Sequence, residues 1–241
     1  MATYYVGWDV GTWDCKGSSS DAIVVIDDTG KEVISLRKIV KFEPSVKQIY
    51  SFLNMYFNFE KDRFFPEDTF YFAIDAVFSL PDGVQCLLNN ESVTIPNKFK
   101  ENQFLFRKTE QFIMEKIIEK NDKCLSVIHD RIGNQATKIM FFLRYFGFQQ
   151  KEKEAGVWKS DNNNAIAIEV YPKLTVKYAS EKKSDEYDAQ KCAELAYTFA
   201  KNNTQLYSPQ NYIEEFEKSD KEEQCIKKEG WIWFPKSKLK K

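Results

Sequence analysis

The sequence predicts an α/β protein built on a mixed five-stranded sheet, three antiparallel strands first, flanked by helices, with a helical insertion between the fourth and fifth strands. Three observations lead there. Three short apolar or alternating runs follow one another within the first 40 residues, separated only by turn-forming segments. A segment of helical period then precedes Phe70 to Val77, a near-continuous apolar run of strand length, as in a strand covered on both faces. Finally, a fifth run, Ala165 to Tyr171, is followed by a long segment of helical period.

The elements follow in order. Tyr4 to Val10 and Ala22 to Ile26 are apolar strand-length runs, and Asp27-Asp28-Thr29-Gly30 is a turn leading to an extended stretch, Val33 to Val40. Pro44 suits a first helical turn, and Val46, Ile49, Tyr50, Leu53 and Phe57 repeat every 3.6 residues, which predicts a helix over about 44–58. The insertion, about 78–163, opens on the turn Ser79-Leu80-Pro81-Asp82-Gly83. It carries helices over about 110–120, with Thr109 as N-cap, and about 134–146. Pro172 stops the fifth strand, Asp185 to Lys201 forms a strong helix, and Gly230 to Pro235 reads as a short aromatic strand. The whole, 1–241, is expected to be a single domain with a C-terminal extension over about 204–241.

Composition narrows the function classes. Apolar residues are 43% and charged residues 29% of the 241, enough for a sizeable core without disulfides. The 35 basic and 36 acidic residues nearly cancel, which weighs against a non-specific nucleic-acid coat protein. The first ten residues carry Asp9 and no basic cluster, so no signal peptide is expected, and no apolar run approaches the ~18–20 residues of a membrane span. Five scattered cysteines without a C-x-x-C pair, and a single histidine, predict a reduced, cytoplasmic protein whose metal ligands, if it has them, are carboxylates.

Four acids stand where burial argues against them. Asp9 lies between Trp8 and Val10 in the first strand, and Asp75 ends the run Tyr71-Phe72-Ala73-Ile74. Asp185 and Asp188 are spaced i, i+3 and share a helix stripe with Cys192, Leu195 and Phe199. A buried carboxylate without a partner costs several kcal/mol, and a divalent cation is a common way to keep such a cluster ionised. All-oxygen donors suit Mg²⁺ or Mn²⁺, and two such ions support phosphodiester hydrolysis. The alternative is that Asp185 caps its helix with Asp188 at N3, while Asp9 and Asp75 shape strand-end turns.

These residues also carry a family resemblance. Gly7-Trp8-Asp9-Val10-Gly11-Thr12 resembles the opening hairpin of the ribonuclease H-like superfamily. Ala73-Ile74-Asp75-Ala76-Val77-Phe78-Ser79-Leu80-Pro81 resembles the fourth-strand motif of its predicted-nuclease branch, domain of unknown function four hundred and twenty-nine. In order follow Phe106 to Glu110, Ile168 to Pro172, Asp185 to Ala189 and Glu229 to Pro235, so the similarity spans nearly the whole chain. The resemblance implies a ribonuclease H-like fold, a Mg²⁺- or Mn²⁺-dependent nuclease acting on DNA or RNA, and metal ligands Asp9, Asp75, Asp188 and Asp185, as in RuvC-type resolvases. One departure is that those resolvases carry Glu on the fourth strand where this chain has Asp75, shorter by one methylene.

Glu169 is either a further metal ligand or the ion-pair partner of Arg107 or Arg131. Arg107, Thr109, Glu110, Asp130 and Arg131 are candidates for a substrate cleft, arginine being suited to phosphate, although helix-capping ion pairs are a commoner fate. Thr12, Trp13 and Lys16 flank the first aspartate as further substrate-binding candidates, Trp13 by base stacking. His129 is a candidate for acid–base or metal work, or a hydrogen-bonded loop residue. Two other functions compete. Asp9-Val10-Gly11-Thr12 with Lys16 also resembles the first phosphate motif of ATP-using proteins of the actin and sugar-kinase type, but nine glycines and no second Gly-rich loop count against it. The other is a non-catalytic nucleic-acid or protein binding module.

Overall fold

The structure, a computed structural model, describes residues 1–13, 19–93, 98–118, 124–128, 130, 132–151, 154–162, 164–175 and 184–239. The chain opens as an antiparallel meander, β1 (Thr3–Asp9), β2 (Asp21–Ile26) and β3 (Glu32–Lys38). Helix α1 (Ile49–Phe57) then leads to β4 (Thr69–Asp75), which lies parallel to β1. Helices α2 (Asp82–Leu88), α3 (Lys108–Lys116) and α4 (Gly133–Tyr145) precede a hairpin of β5 (Gln149–Lys151) and β6 (Glu154–Lys159). Strand β7 (Ala165–Val170) runs parallel to β4 and antiparallel to β6. The remainder is α5 (Asp185–Asn202), β8 (Leu206–Tyr207), α6 (Pro209–Glu215), α7 (Asp220–Glu229) and β9 (Ile232–Pro235).

The sheet is mixed and open, in the order β3-β2-β1-β4-β7-β6-β5. Past β7 it forks: residues 166–168 pair with β6, while Glu169 and Val170 pair with β9, which also pairs with β8. Gly156 makes the fork possible. It sits at φ 73°, and a Cβ there would stand 2.6 Å from the Trp231 Cβ, so only glycine lets β9 enter against β6.

Alternation along the strands divides the core between the two faces. Val6, Trp8, Ile23, Val25, Phe72 and Ile74 pack against α1 and α4. Tyr5, Ala22, Val24 and Ala73 face the other way, against α5. All six residues of β2 are buried because both faces are covered. No helix among the described residues is long and apolar enough to cross a membrane.

Among the described residues the sheet holds nine strands rather than the expected five: the aromatic strand read over Gly230 to Pro235 joins it as β9, and the insertion contributes strands as well as helices. The hairpin escapes a pattern reading because β5 is Gln149-Gln150-Lys151, without an apolar run, and β8 has only two residues. The helix expected over 44–58 begins at Ile49, since Pro44 lies in a turn closed by Val46 N–H donating to the Glu43 carbonyl at 2.9 Å. Helix α3 starts two residues early, with Arg107 rather than Thr109 at the N-cap. The turn expected at 79–83 passes directly into α2, and the C-terminal extension holds α6 and α7, started by Ser208 and Ser219.

Candidate functional site

Asp9 and Asp75 end the two central parallel strands and are register partners across them. Because side chains alternate, both share the face of Tyr5, Gly7 and Ala73, the face covered by α5. The helix comes unusually close: a Cβ on Gly7 would overlap the Ala189 carbonyl oxygen and the Ala193 amide. Gly7 therefore lets α5 settle on the backbone of β1, and Asp188 and Asp185 follow at its N-terminal turn. Ser184, not Asp185, is the N-cap, its hydroxyl accepting from the Tyr187 N–H at 3.2 Å. The capping role that the alternative reading gives to Asp185 thus belongs to its neighbour.

The fields of these acids overlap. Burial, then the charges of Asp185, Asp188 and Asp21, push the Asp9 carboxyl up to about 7, with Arg37 pulling the other way. Asp75 is raised well above the usual carboxylate range by burial and by the charges of Asp9, Asp188 and Glu169. Asp185 stands at the margin, where its Oδ2 receives Arg37 Nη2 at 2.6 Å, both side chains being partly exposed. Beside Asp9 and Asp75 opens a cavity of about 190 Å³, walled by Glu110, Glu169, Leu125 and Ile132.

Asp9, Asp75 and Asp188 offer only carboxylate oxygens, which suits a hard divalent cation, and the repulsion that raises Asp9 and Asp75 is what such a charge relieves. Cys192, fully buried beside them, is held as a thiol by burial and by the same three aspartates, so it adds no sulfur ligand. Among the described residues no three His, Cys, Asp or Glu side chains are gathered tightly enough to hold a metal ion as they stand.

Glu169 has a different partner. Its register partner is Ile74, one residue short of Asp75, and its Oε2 receives Arg107 Nη1 at 2.7 Å and the Phe78 N–H at 3.1 Å. Its other oxygen receives Arg107 Nη2. Of the two readings of Glu169, the structure shows the ion pair with Arg107. Arg107 is wholly buried and also donates to Glu110 Oε1, through Nε at 3.0 Å and Nη2 at 2.7 Å, and to the Glu229 carbonyl at 3.1 Å. Glu110 in turn receives the Arg107 amide at 2.6 Å. Arg107 is thus a buried knot joining α3, β7 and the end of α7, not a cleft-lining phosphate contact. Thr109 is buried too, its hydroxyl accepting from the Ile232 N–H at 3.2 Å, so it seats β9 instead of substrate.

Glu229 completes this knot; the sequence offers it only as the first residue of the motif Glu229 to Pro235, not as a site residue. Its carboxylate receives the first amides of two helices, Asp82 N–H of α2 and Lys108 N–H of α3, each at 2.7 Å. Burial raises its carboxyl to about 7 against the lowering effect of those two donors.

On the other face a second buried knot fixes the end of β1. Asp21, fully buried, receives Trp8 Nε1 at 2.9 Å, the Gly11 amide at 3.0 Å, the Val40 amide at 2.7 Å and Lys138 Nζ at 2.6 Å. Lys138 also donates to the Thr12 carbonyl at 2.8 Å, tying α4 to the segment just past Asp9. The signal in the sequence is a lysine one turn before Phe142 on the apolar stripe of α4. Thr12 bonds Ser19 across the connection to β2. Trp13 docks on α4: its amide donates to Asn134 and its indole to Thr137 Oγ1, with edge contacts to Phe42 and Phe141. The ring thus has packing partners along its edges while the residue stays partly exposed. Asp130 closes a turn by receiving the Ser126 amide at 2.7 Å. Lys16, Arg131 and His129 lie outside the described residues.

No family model, no curated protein and no solved structure matches this chain.

Proposed function

We propose that this protein is a metal-dependent nuclease that hydrolyses phosphodiester bonds of DNA or RNA, on a sheet of ribonuclease H-like type. The observation that carries the reading is the pair Asp9–Asp75 at the ends of two adjacent parallel strands, with Asp188 brought over them by α5. An antiparallel meander followed by two strands parallel to the first, in the order β3-β2-β1-β4-β7, supports the fold assignment. Ligands of open α/β sheets bind outside the carboxyl ends of the strands, where these acids stand.

Asp9, Asp75 and Asp188, not gathered tightly enough to hold a cation as they stand, would have to close on Mg²⁺ or Mn²⁺ as it binds, with Asp185 at the margin. The ions, when bound, supply a lowered pKa for attacking water and a counter-charge for the leaving oxygen. The chain's own residues do the positioning. The Asp21–Lys138 knot fixes the β1 end that carries Asp9, and the Arg107 knot fixes the wall of the cavity beside Asp75. Gly7 sets the distance of α5 and hence of Asp188.

The test is cleavage of a panel of single- and double-stranded DNA and RNA with Mg²⁺ or Mn²⁺. Wild-type cleavage lost in both Asp9→Asn and Asp188→Asn, with both variants folded and melting no lower than wild type, is the expected result. Cleavage surviving in either variant, or no wild-type cleavage of any substrate, contradicts the reading.

A further inference from the structure

One row of the sheet joins a cation to the acid pair. Register partners run Arg37 on β3, Ala22 on β2, Asp9 on β1 and Asp75 on β4, so all four side chains leave from the same face. Ala22 is the spacer: fully buried and ending at Cβ, it puts nothing between the guanidinium and Asp9, two strand spacings or about 10 Å apart at the backbone. Arg37 is close enough to lower the Asp9 carboxyl. Its present partner is Asp185 in the first turn of α5, at 2.6 Å, and the two side chains are 47% and 38% exposed. An ion pair this exposed holds its partners only weakly, so exchange for a stronger acceptor costs little. A phosphate offers that acceptor, because the guanidinium fork matches two of its oxygens. The buried arginine of the neighbourhood, Arg107, is saturated by Glu110, Glu169 and the Glu229 carbonyl and cannot make the same exchange.

We propose that Arg37 is a phosphate-binding residue of this site, leaving Asp185 to grip a backbone phosphate of the nucleic acid beside the Asp9–Asp75 pair. The assignment rests on the nuclease reading above. It also gives Asp185 a role distinct from Asp188: a holder of Arg37 in the free protein.

The experiment is equilibrium binding of labelled single- and double-stranded oligonucleotides by anisotropy, with Ca²⁺ replacing Mg²⁺, over a range of salt. Arg37→Gln is expected to bind at least tenfold more weakly. The slope of log K against log salt should fall by one phosphate contact, about 0.7 for single strands or 0.9 for duplex. Arg37→Lys should keep the slope and lose part of the affinity. The rise in melting temperature with Mn²⁺ should be as large in Arg37→Gln as in wild type. Wild-type affinity and slope in Arg37→Gln would overturn the assignment and leave the nuclease reading standing. Weakened binding together with loss of the Mn²⁺ effect would also overturn it, since that marks a disturbed site. No binding of any oligonucleotide by wild type would overturn both readings together.

Discussion

Asp9 and Asp75 stand side by side where β1 and β4 end, register partners on adjacent strands about 4.8 Å apart, with both side chains on the α5 face. Two like charges at this separation, half-buried and joined by Asp188, are costly to the folded chain unless a proton or a cation neutralises them.

The first prediction concerns pH. The folded Asp9 carboxyl sits at about 7, above its ordinary 3.8. The folded state therefore binds more protons than the unfolded state between those values. Stability from this group is fully present below about pH 4 and is lost as pH rises through 7. Raising the carboxyl from 3.8 to about 7 corresponds to about 4 kcal/mol at most, and solvent screening reduces it to about 1–2 kcal/mol. Asp9→Asn should melt about 2–8 °C higher than wild type at pH 8 and no higher at pH 4.5, measured by calorimetry. An unchanged difference between the two pH values would contradict a raised Asp9 carboxyl as the cause.

Gly7 is the contact that seats α5. Gly7→Ala pushes a methyl group into the Ala189 carbonyl and the Ala193 amide, both backbone atoms that cannot turn aside. The variant should lose about 3 kcal/mol or more, read by urea unfolding. A loss below about 1 kcal/mol, the lower end of what overpacking costs, would mean that the helix does not rest on this glycine.

Lys138 and Asp21 form a pair with both side chains fully buried. Lys138→Met leaves a buried carboxylate without its cation and should cost about 3–5 kcal/mol. Adding Asp21→Asn removes the buried charge and should recover part of that loss, because the amide oxygen, in the place of Oδ1, still accepts from the Trp8 indole and the Gly11 amide, while the Val40 amide loses its acceptor. A double variant no better than the single one would show that the charge is not the cause.

Glu169 separates a ligand from a partner of Arg107. Glu169→Gln should lower stability, by leaving Arg107 with one carboxylate, yet keep any Mn²⁺-dependent rise in melting temperature. Loss of that rise with the fold intact would move Glu169 into the ligand set.

The elements legible in the sequence are those whose burial leaves a period. The runs at β1, β2 and β4 and the stripe of α5 are apolar enough to read directly, and the acids within them stand out as exceptions. Strand β5 and the helices α6 and α7 are hidden because few of their residues are apolar, and β6 because its apolar stretch, Ala155 to Trp158, is short and broken by Gly156; their burial comes from neighbours such as Trp231 and Phe112. Arg107 illustrates the limit for site residues. Its type fits phosphate binding, and only the spatial arrival of Glu169 and the Glu229 carbonyl shows it to be internal. Arg37 escapes a sequence reading for the opposite reason. A charged residue on an edge strand looks like solvent-facing surface until the register sets it on the row of Asp9.

The most direct measurement is Mn²⁺ titration of wild type and of the Asp9→Asn/Asp75→Asn double variant at pH 8 by calorimetry, with melting temperatures recorded in parallel. Saturable binding that raises the melting temperature of wild type and vanishes in the double variant is the predicted result. Equal binding by both proteins, or none by wild type at millimolar Mn²⁺, would contradict a cation held between the strand ends.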